Sequence, residues 1–180
     1  MTDLISVRCS IALDFADSSI DNEDNNEAYY DVLASTLRDL FASNSSKDYY
    51  LSAAPQCPNP DASDPTSLLL LCDFVWVQFY NNPPCSIGTS GFAASLQGWS
   101  QTLNSSRARL YVGAPAWSGA DQATYERIAT AQGMEGVARN AKELGLMNFG
   151  GVMFWDGSEG MLNVADGKDI IAWAKLGLTS

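Results

Sequence analysis

Residues 73–80 read Asp-Phe-Val-Trp-Val-Gln-Phe-Tyr and form the strongest strand signal in the chain. They are rich in aromatic and branched side chains, and the turn-forming sequence Asn-Asn-Pro-Pro follows directly. Because side chains alternate between the two faces of a strand, Trp76, Gln78 and Tyr80 are predicted to share one face. Such a face offers flat apolar rings and hydrogen-bonding groups, which suits a sugar. The alternative is a buried strand whose tyrosine is satisfied by a neighbouring group.

Strands of this kind recur along the chain, with a helical segment between most successive strands. Helices are predicted where apolar residues repeat every three or four positions. The predicted strands are residues 6–15, 49–54, 73–80, 109–112 and 150–155, and the predicted helices are residues 27–41, 91–103, 124–144 and 167–176. This alternation indicates β/α units built around a parallel sheet. In parallel barrels the active site lies at the carboxyl ends of the strands.

Composition excludes several classes of function. The 180 residues contain no histidine, and the formal net charge is -11, from 21 acidic and 10 basic side chains. Without histidine, Ser-His-Asp and Cys-His catalysis and histidine-containing metal sites are excluded, so acid–base chemistry must come from carboxylates, Tyr, Lys or Cys. The acidic balance argues against nucleic acid and against an anionic membrane surface as partners. A neutral ligand remains compatible, and we expect no metal and no cofactor.

The four cysteines lack the CxxC spacing of a zinc site. Cys57 and Cys85 lie in proline-rich, loop-like sequence, whereas Cys72 closes an apolar run and is interpreted as a buried thiol. Cys9 also lies in an apolar run. A disulfide between Cys57 and Cys85 is therefore the best single pairing, and it indicates an oxidising compartment. Two Asn-Ser-Ser glycosylation sequons are compatible with a secretory route.

Two carboxylates stand two residues apart in the sequence Asp21-Asn22-Glu23. On an extended strand this spacing points both side chains to the same face. A like charge nearby disfavours ionisation, so Asp21 is able to hold Glu23 protonated near neutral pH, as a general acid requires. The alternative is a solvated acidic loop, in which residues 24–26 cap the helix that follows.

Three segments together closely resemble the class III chitinases of plants and fungi, in glycoside hydrolase family 18. They are the strand at residues 73–80 with the Asn-Asn-Pro-Pro-Cys after it, Ala-Ala-Pro-Gln-Cys-Pro at residues 53–58, and Gly-Gly-Val-Met-Phe-Trp at residues 150–155. Their order and spacing are those of the family. The resemblance implies an α/β fold, a partial (β/α)8 TIM barrel that holds strands 4 to 8. Residues 1–19 would be an unmatched segment, and residues 20–180 the C-terminal part of the catalytic domain.

The resemblance also assigns roles to individual residues. Glu23 matches the family's general acid, and Asp21 matches the aspartate that orients the N-acetyl group of the substrate. Tyr80 matches the tyrosine that hydrogen-bonds the N-acetyl oxygen, which attacks the anomeric carbon in place of an enzyme nucleophile. The substrate-binding positions implied are Gln78, Asn81, Met153 and Trp155, and a family disulfide matches Cys57 and Cys85.

The function implied is endo-cleavage of β-1,4-linked N-acetylglucosamine polymers with retention of configuration. Chitin or its oligosaccharides would be the partner, and the parent family is extracellular, although no signal peptide is recognised at residues 1–15.

One feature departs from the family motif Asp-x-x-Asp-x-Asp-x-Glu. Its first two acidic positions fall on Ala16 and Ser19, and Asp14 and Asp17 restore the pair only if two residues are inserted. The alternative function is therefore a catalytically inactive, chitin-binding homologue. A third hypothesis is a half-barrel that associates with itself or with another half-barrel through open sheet edges.

Overall fold

A computed structural model of the protein describes residues 11–15, 29–43 and 48–180, the first of these ranges by its backbone alone. Helices and strands alternate along the described residues. In chain order the elements are β1 (Ile11–Phe15), α1 (Tyr30–Ala42), β2 (Tyr49–Ala53), α2 (Thr66–Leu69), β3 (Phe74–Gln78), α3 (Phe92–Thr102), β4 (Arg109–Pro115), α4 (Gln122–Ile128), α5 (Gly133–Glu143), β5 (Phe149–Trp155), α6 (Gly157–Leu162), β6 (Val164–Ala165), β7 (Lys168–Asp169) and α7 (Ile170–Thr179).

Five strands form one sheet in the order β1-β2-β3-β4-β5, and every neighbouring pair is parallel. Because all the strands run in the same direction, their carboxyl ends meet at one edge of the sheet. The parallel α/β architecture predicted from the sequence is confirmed. This edge is where the predicted site residues of β3 and β5 lie.

One face of the sheet packs against helices and forms the hydrophobic core. Alternate side chains of β2, β3 and β4 point to this face and are fully buried. They include Leu51, Ala53, Val75, Val77, Leu110 and Val112. Trp99 of α3 and Met134 of α5 belong to the same buried cluster. The sheet is thereby fixed against helices on this side.

The opposite face carries four half-buried aromatic residues, which we call the aromatic face: Tyr50, Phe74, Trp76 and Tyr111. The ring of Phe74 lies at the centre, 5.4 Å from Tyr50, 6.5 Å from Trp76 and 6.1 Å from Tyr111 between ring centroids. Aromatic pairs at these separations attract one another beyond their burial. Along β3 the aromatic face therefore extends from Phe74 to Trp76, toward the carboxyl edge of the sheet.

The prediction of a single helix over residues 124–144 is wrong, because two helices, α4 and α5, occupy this region. Ala129 ends α4 with a φ of 70°, outside the helical region. The apolar repeat nevertheless continues through the break, since Ile128, Ala131 and Met134 are all buried. Periodicity alone therefore gives no sign of the interruption.

The C-terminal part also differs from the prediction. The helix predicted at residues 167–176 runs from Ile170 to Thr179 and follows an antiparallel hairpin of β6 and β7. Asp166 and Gly167 have φ values of 47° and 76°, the pattern of a tight Asp-Gly hairpin turn. The short helices α2 and α6 are absent from the prediction, because 4 and 6 residues are too few to display a helical repeat.

Candidate active site

The carboxyl end of β3 carries the first of the predicted site residues. Gln78 is the last residue of β3, and its side-chain nitrogen donates a hydrogen bond of 2.6 Å to the carbonyl of Ala54. This bond directs the amide oxygen of Gln78 away from Ala54. Trp76 and Gln78 are half-buried, whereas Val75 and Val77 are fully buried. The predicted alternation is therefore confirmed for residues 75–78, whereas Tyr80, which was predicted on the face of Trp76 and Gln78, lies beyond β3 and is buried.

Gly113 stands between Gln78 and Met153 in the sheet, because it pairs with Gln78 on one side and with Met153 on the other. A Cβ atom at position 113 would lie 2.6 Å from the carbonyl oxygen of Val77 and 3.1 Å from Cε of Met153. A strand glycine of this kind permits a close approach of neighbouring groups. Between the two candidate residues the sheet thus carries no side chain.

Tyr80 and Asn81 lie just beyond β3, where the chain turns away from the sheet. Asn81 has a φ of 60°, in the left-handed region that asparagine tolerates better than most residues. Its backbone N–H donates to the carboxylate of Asp121 at 2.7 Å. Tyr80 is 6% exposed, so packing fixes its position. The turn that presents both candidate residues is therefore anchored to the start of α4.

A second set of bonds holds the same turn to the loop after β2. The side-chain nitrogen of Asn82 donates to the side-chain oxygen of Gln56 at 2.7 Å. Gln56 also forms an isolated parallel bridge with Gln78. The disulfide between Cys57 and Cys85 joins these loops covalently, with 5.8 Å between the Cα atoms. The predicted pairing is confirmed, and Cys72 is a buried thiol as predicted.

Trp155 is the last residue of β5 and lies at the same edge of the sheet. Its side chain is 52% exposed, so much of the ring is accessible to a ligand. The backbone is held to the end of β4, because Trp155 pairs with Pro115 and its carbonyl accepts a hydrogen bond of 2.9 Å from the N–H of Ala116. Asp156 then caps α6 by accepting from the N–H of Glu159 at 3.1 Å.

Hydrogen bonding keeps two carboxylates near this edge in their anionic form. Desolvation raises the pKa of Asp121, but bonds from the Thr124 hydroxyl and from the backbone of Asn81, Thr124 and Ala123 together lower it below the ordinary value. The pKa of Asp156 is lowered by the Ser158 hydroxyl and by the N–H of Glu159. Both carboxylates are hydrogen-bond acceptors at neutral pH. Neither has the raised pKa that suits a general acid.

Within the described residues, no group of three or more His, Cys, Asp or Glu is placed to hold a metal ion. In the same part of the chain, none of the helices combines the length and the apolar character required to cross a membrane.

The structure brings five predicted site residues to the carboxyl edge of the sheet: Gln78, Tyr80, Asn81, Met153 and Trp155. Asp21 and Glu23 lie outside the described residues, as do Cys9 and the motif positions Ala16 and Ser19. The assignment of the acid therefore stays a prediction.

Two residues that shape this edge, Asp121 and Gly113, are not among those predicted from the sequence. Asp121 stands directly before a helix, where aspartate is a preferred cap, and this preference was a usable signal. Gly113 gives no comparable signal, because a glycine in a strand has several structural explanations.

Comparison with known proteins supplies relatives over most of the chain. No protein-family model matches. Endochitinase 3 of Metarhizium robertsii is 40% identical over 153 residues, which cover 85% of this chain and 47% of the relative. The chain spans about half the length of the curated relatives that it matches.

Two solved structures are similar in fold and in sequence. A chitinase from Ipomoea carnea superposes with a TM-score of 0.60 at 28% identity, covering 85% of this chain and 56% of that structure. A xylanase and α-amylase inhibitor protein from Scadoxus multiflorus superposes with a TM-score of 0.62 at 26% identity, covering 86% of this chain and 52% of that structure. The fold therefore occurs both in a chitinase and in a protein named as an inhibitor.

Proposed function

Since the chain belongs to the chitinases of glycoside hydrolase family 18, we propose that it acts in the endo-cleavage of β-1,4-linked N-acetylglucosamine polymers. One observation carries the proposal: the candidate residues of β3 and β5 lie on a single edge of a parallel sheet. Gln78 and Met153 lie on either side of Gly113, Trp155 is the last residue of β5, and Tyr80 follows β3 by two residues. Parallel barrels place their chemistry at this edge.

In the proposed mechanism Glu23 is the general acid and Asp21 orients the N-acetyl group of the bound sugar. The N-acetyl carbonyl oxygen attacks the anomeric carbon as the bond to the leaving sugar breaks, and the leaving oxygen takes the proton of Glu23. Water then displaces the carbonyl oxygen and gives its proton to Glu23, which restores the acid. Two displacements at the same carbon retain the configuration.

The described residues have supporting roles in this scheme. The exposed ring of Trp155 offers an apolar floor to a sugar. We assign Tyr80 the hydrogen bond to the N-acetyl oxygen of that sugar. Gly113 lets the end of the Met153 side chain and the carbonyl of Val77 pack closely, which fixes the part of the sheet between Gln78 and Met153. The caps formed by Asp121 and Asp156 are anionic, so neither suits the role of proton donor, which we assign to Glu23.

The proposal also covers organisation and location. We assign residues 20–180 to the C-terminal part of the catalytic domain, with β2 to β5 as strands 5 to 8 of the barrel. Residues 1–19 lie outside the family match, and β1 within them takes the place of strand 4 beside β2. The disulfide between Cys57 and Cys85 supports an oxidising, extracellular location.

The acid assignment is tested by replacing Glu23 with glutamine, which keeps the shape of the side chain but has no proton to donate. We expect Glu23→Gln to lower turnover of an N-acetylglucosamine oligosaccharide by about 10²-fold or more, while much of the binding remains. Asp24→Asn is the matched control, because it removes the same charge one residue away. Unchanged turnover in Glu23→Gln would contradict the mechanism.

A second candidate function is a chitin-binding homologue without turnover. Ala16 and Ser19 at two acidic positions of the family motif favour it, and the similar inhibitor structure shows that the fold serves roles other than hydrolysis. Measurements of oligosaccharide binding and hydrolysis by the unsubstituted chain distinguish the two candidate functions. Oligosaccharide binding with hydrolysis supports the enzyme, and binding without hydrolysis supports the second candidate.

A further inference from the structure

A separate pocket lies between the loop after β4 and helix α6. Its volume is ≈ 250 Å³, and none of its lining residues belongs to the candidate active site. The lining residues, which define what we call the side pocket, are Trp117, Ser118, Tyr125, Glu159, Leu162 and Asn163.

Asn163 fixes the inner wall of the side pocket. Its side-chain nitrogen donates two hydrogen bonds of 2.7 Å, one to the carbonyl of Ala116 and one to the hydroxyl of Tyr125. These bonds use both protons of the amide, so its oxygen remains as an acceptor. Because the Tyr125 hydroxyl accepts one of the bonds, its own proton can be donated to a ligand.

The remaining walls supply a carboxylate and apolar surface. Glu159 is half-buried, and no hydrogen bond or ion pair from another described side chain neutralises its carboxylate. Leu162 is 76% exposed. The half-buried indole of Trp117 adds a flat ring with a single N–H donor. Apolar surface, acceptors and donors thus line one small, open depression.

We propose that the side pocket binds one ring of an uncharged, hydroxyl-rich sugar. A pyranose has a flat apolar side that packs on an indole, and hydroxyl groups that donate to a carboxylate or amide oxygen and accept from a tyrosine. The volume falls below the range of about 300–1,000 Å³ that is usual for drug-sized ligands, so one ring fits better than a longer segment. The charge of Glu159 and the net charge of -11 disfavour an anion.

This site goes beyond the proposed hydrolysis and does not require it. The side pocket and Trp155 are nevertheless neighbours through Ala116, whose N–H donates to Trp155 and whose carbonyl accepts from Asn163. A saccharide chain bound at the carboxyl edge would therefore find a second point of attachment close by.

The test is a titration of the ¹⁵N-labelled chain with N-acetylglucosamine, followed by the indole N–H signals of its 5 tryptophans. Trp117→Phe and Trp155→Phe each remove one signal and so assign it. We expect a saturable shift of the Trp117 signal that persists in Trp155→Phe. Glu159→Gln should weaken this binding by about tenfold, because a charged hydrogen bond is lost. Glu143→Gln is the control, since it removes an exposed charge outside the side pocket.

Three results would overturn the proposal. They are a Trp117 signal that does not move at any sugar concentration, an affinity that is the same in Glu159→Gln and in Glu143→Gln, and a response to cationic glucosamine without a response to N-acetylglucosamine. Failure of the proposed hydrolysis is distinguishable, because it appears as absent turnover while the Trp117 signal still shifts.

Discussion

At the scale of single residues, the carboxylate of Asp121 joins two parts of the molecule. It caps α4 by accepting from the N–H groups of Ala123 and Thr124, and it accepts from the N–H of Asn81 in the turn after β3. Because folding lowers the pKa of Asp121, its contribution to stability is complete above the ordinary value of 3.8 and is lost as the pH falls through the lower folded value. The residue is only partly buried, so screening by solvent keeps this contribution small.

We expect Asp121→Ala to lower the free energy of unfolding by about 1 kcal/mol, because α4 loses its cap. It should also weaken oligosaccharide binding, since the turn that presents Tyr80 and Asn81 loses its anchor. Asp169→Ala is the control, because Asp169 caps α7 and accepts from Ala172. Urea unfolding and calorimetric titration measure the two effects. Equal oligosaccharide affinity in both variants would show that Asp121 acts only as a cap.

At the scale of elements, the junction between α4 and α5 depends on one close approach. The carbonyl oxygen of Ile128 would lie 1.8 Å from a Cβ atom at position 133, so only glycine fits at the start of α5. One turn further along the same helix, a Cβ atom at position 136 would have no neighbouring atom within 4 Å. An added methyl group would therefore collide with the backbone at Gly133, whereas at Gly136 there is room for it.

The same substitution should consequently have opposite effects at the two positions. Gly133→Ala should lower the free energy of unfolding by about 1–3 kcal/mol, because the added methyl group forces the backbone apart. Gly136→Ala should raise it by about 0.5–1 kcal/mol, because alanine favours a helix interior. Urea denaturation of both variants measures the difference. Equal changes in the two variants would be incompatible with the described junction.

Much of this organisation is predictable from the sequence, for reasons that individual residues make clear. The buried face of β3 is predictable because Val75 and Val77 are purely aliphatic, whereas Trp76 and Gln78 carry polar N–H groups. The disulfide is predictable because Cys57 and Cys85 sit in proline-rich loops. The break at Ala129 is not, since it depends on a backbone angle while the apolar repeat continues.

The candidate site is only partly predictable for a related reason. Side chains with distinctive chemistry, such as Tyr80 and Trp155, are visible in the sequence. The need for a glycine at position 113 is apparent only once β4 lies beside β3. The role of Asp121 is apparent only once the start of α4 lies beside the turn after β3.

At the scale of the whole molecule, the two faces of the sheet differ in how they are covered. Helices bury one face, whereas the aromatic face stays half-buried in the part of the chain that the structure describes. In the same part, β1 and β5 are the outer strands of the five-stranded sheet. Contiguous apolar surface and outer strands both favour association with another chain.

We therefore expect the 180-residue chain to self-associate, with an average mass that rises with concentration in sedimentation experiments. Trp76→Thr should shift the mass toward that of one chain, because it removes the largest ring of the aromatic face and keeps a strand-forming residue. Tyr29→Thr is the control, since Tyr29 is 75% exposed at the start of α1 and is not one of the four residues of the aromatic face. A chain that stays monomeric at all concentrations and turns over chitin oligosaccharides would contradict this expectation.

The close packing around Gly113 also has a consequence for mutational tolerance. Every other amino acid carries a Cβ atom, and at this position that atom would collide with the backbone of β3, which cannot rotate aside as a side chain can. No replacement at position 113 is therefore conservative, not even alanine. In a scan of all single substitutions, this codon should be among the least permissive in the gene, although its residue has no chemistry of its own.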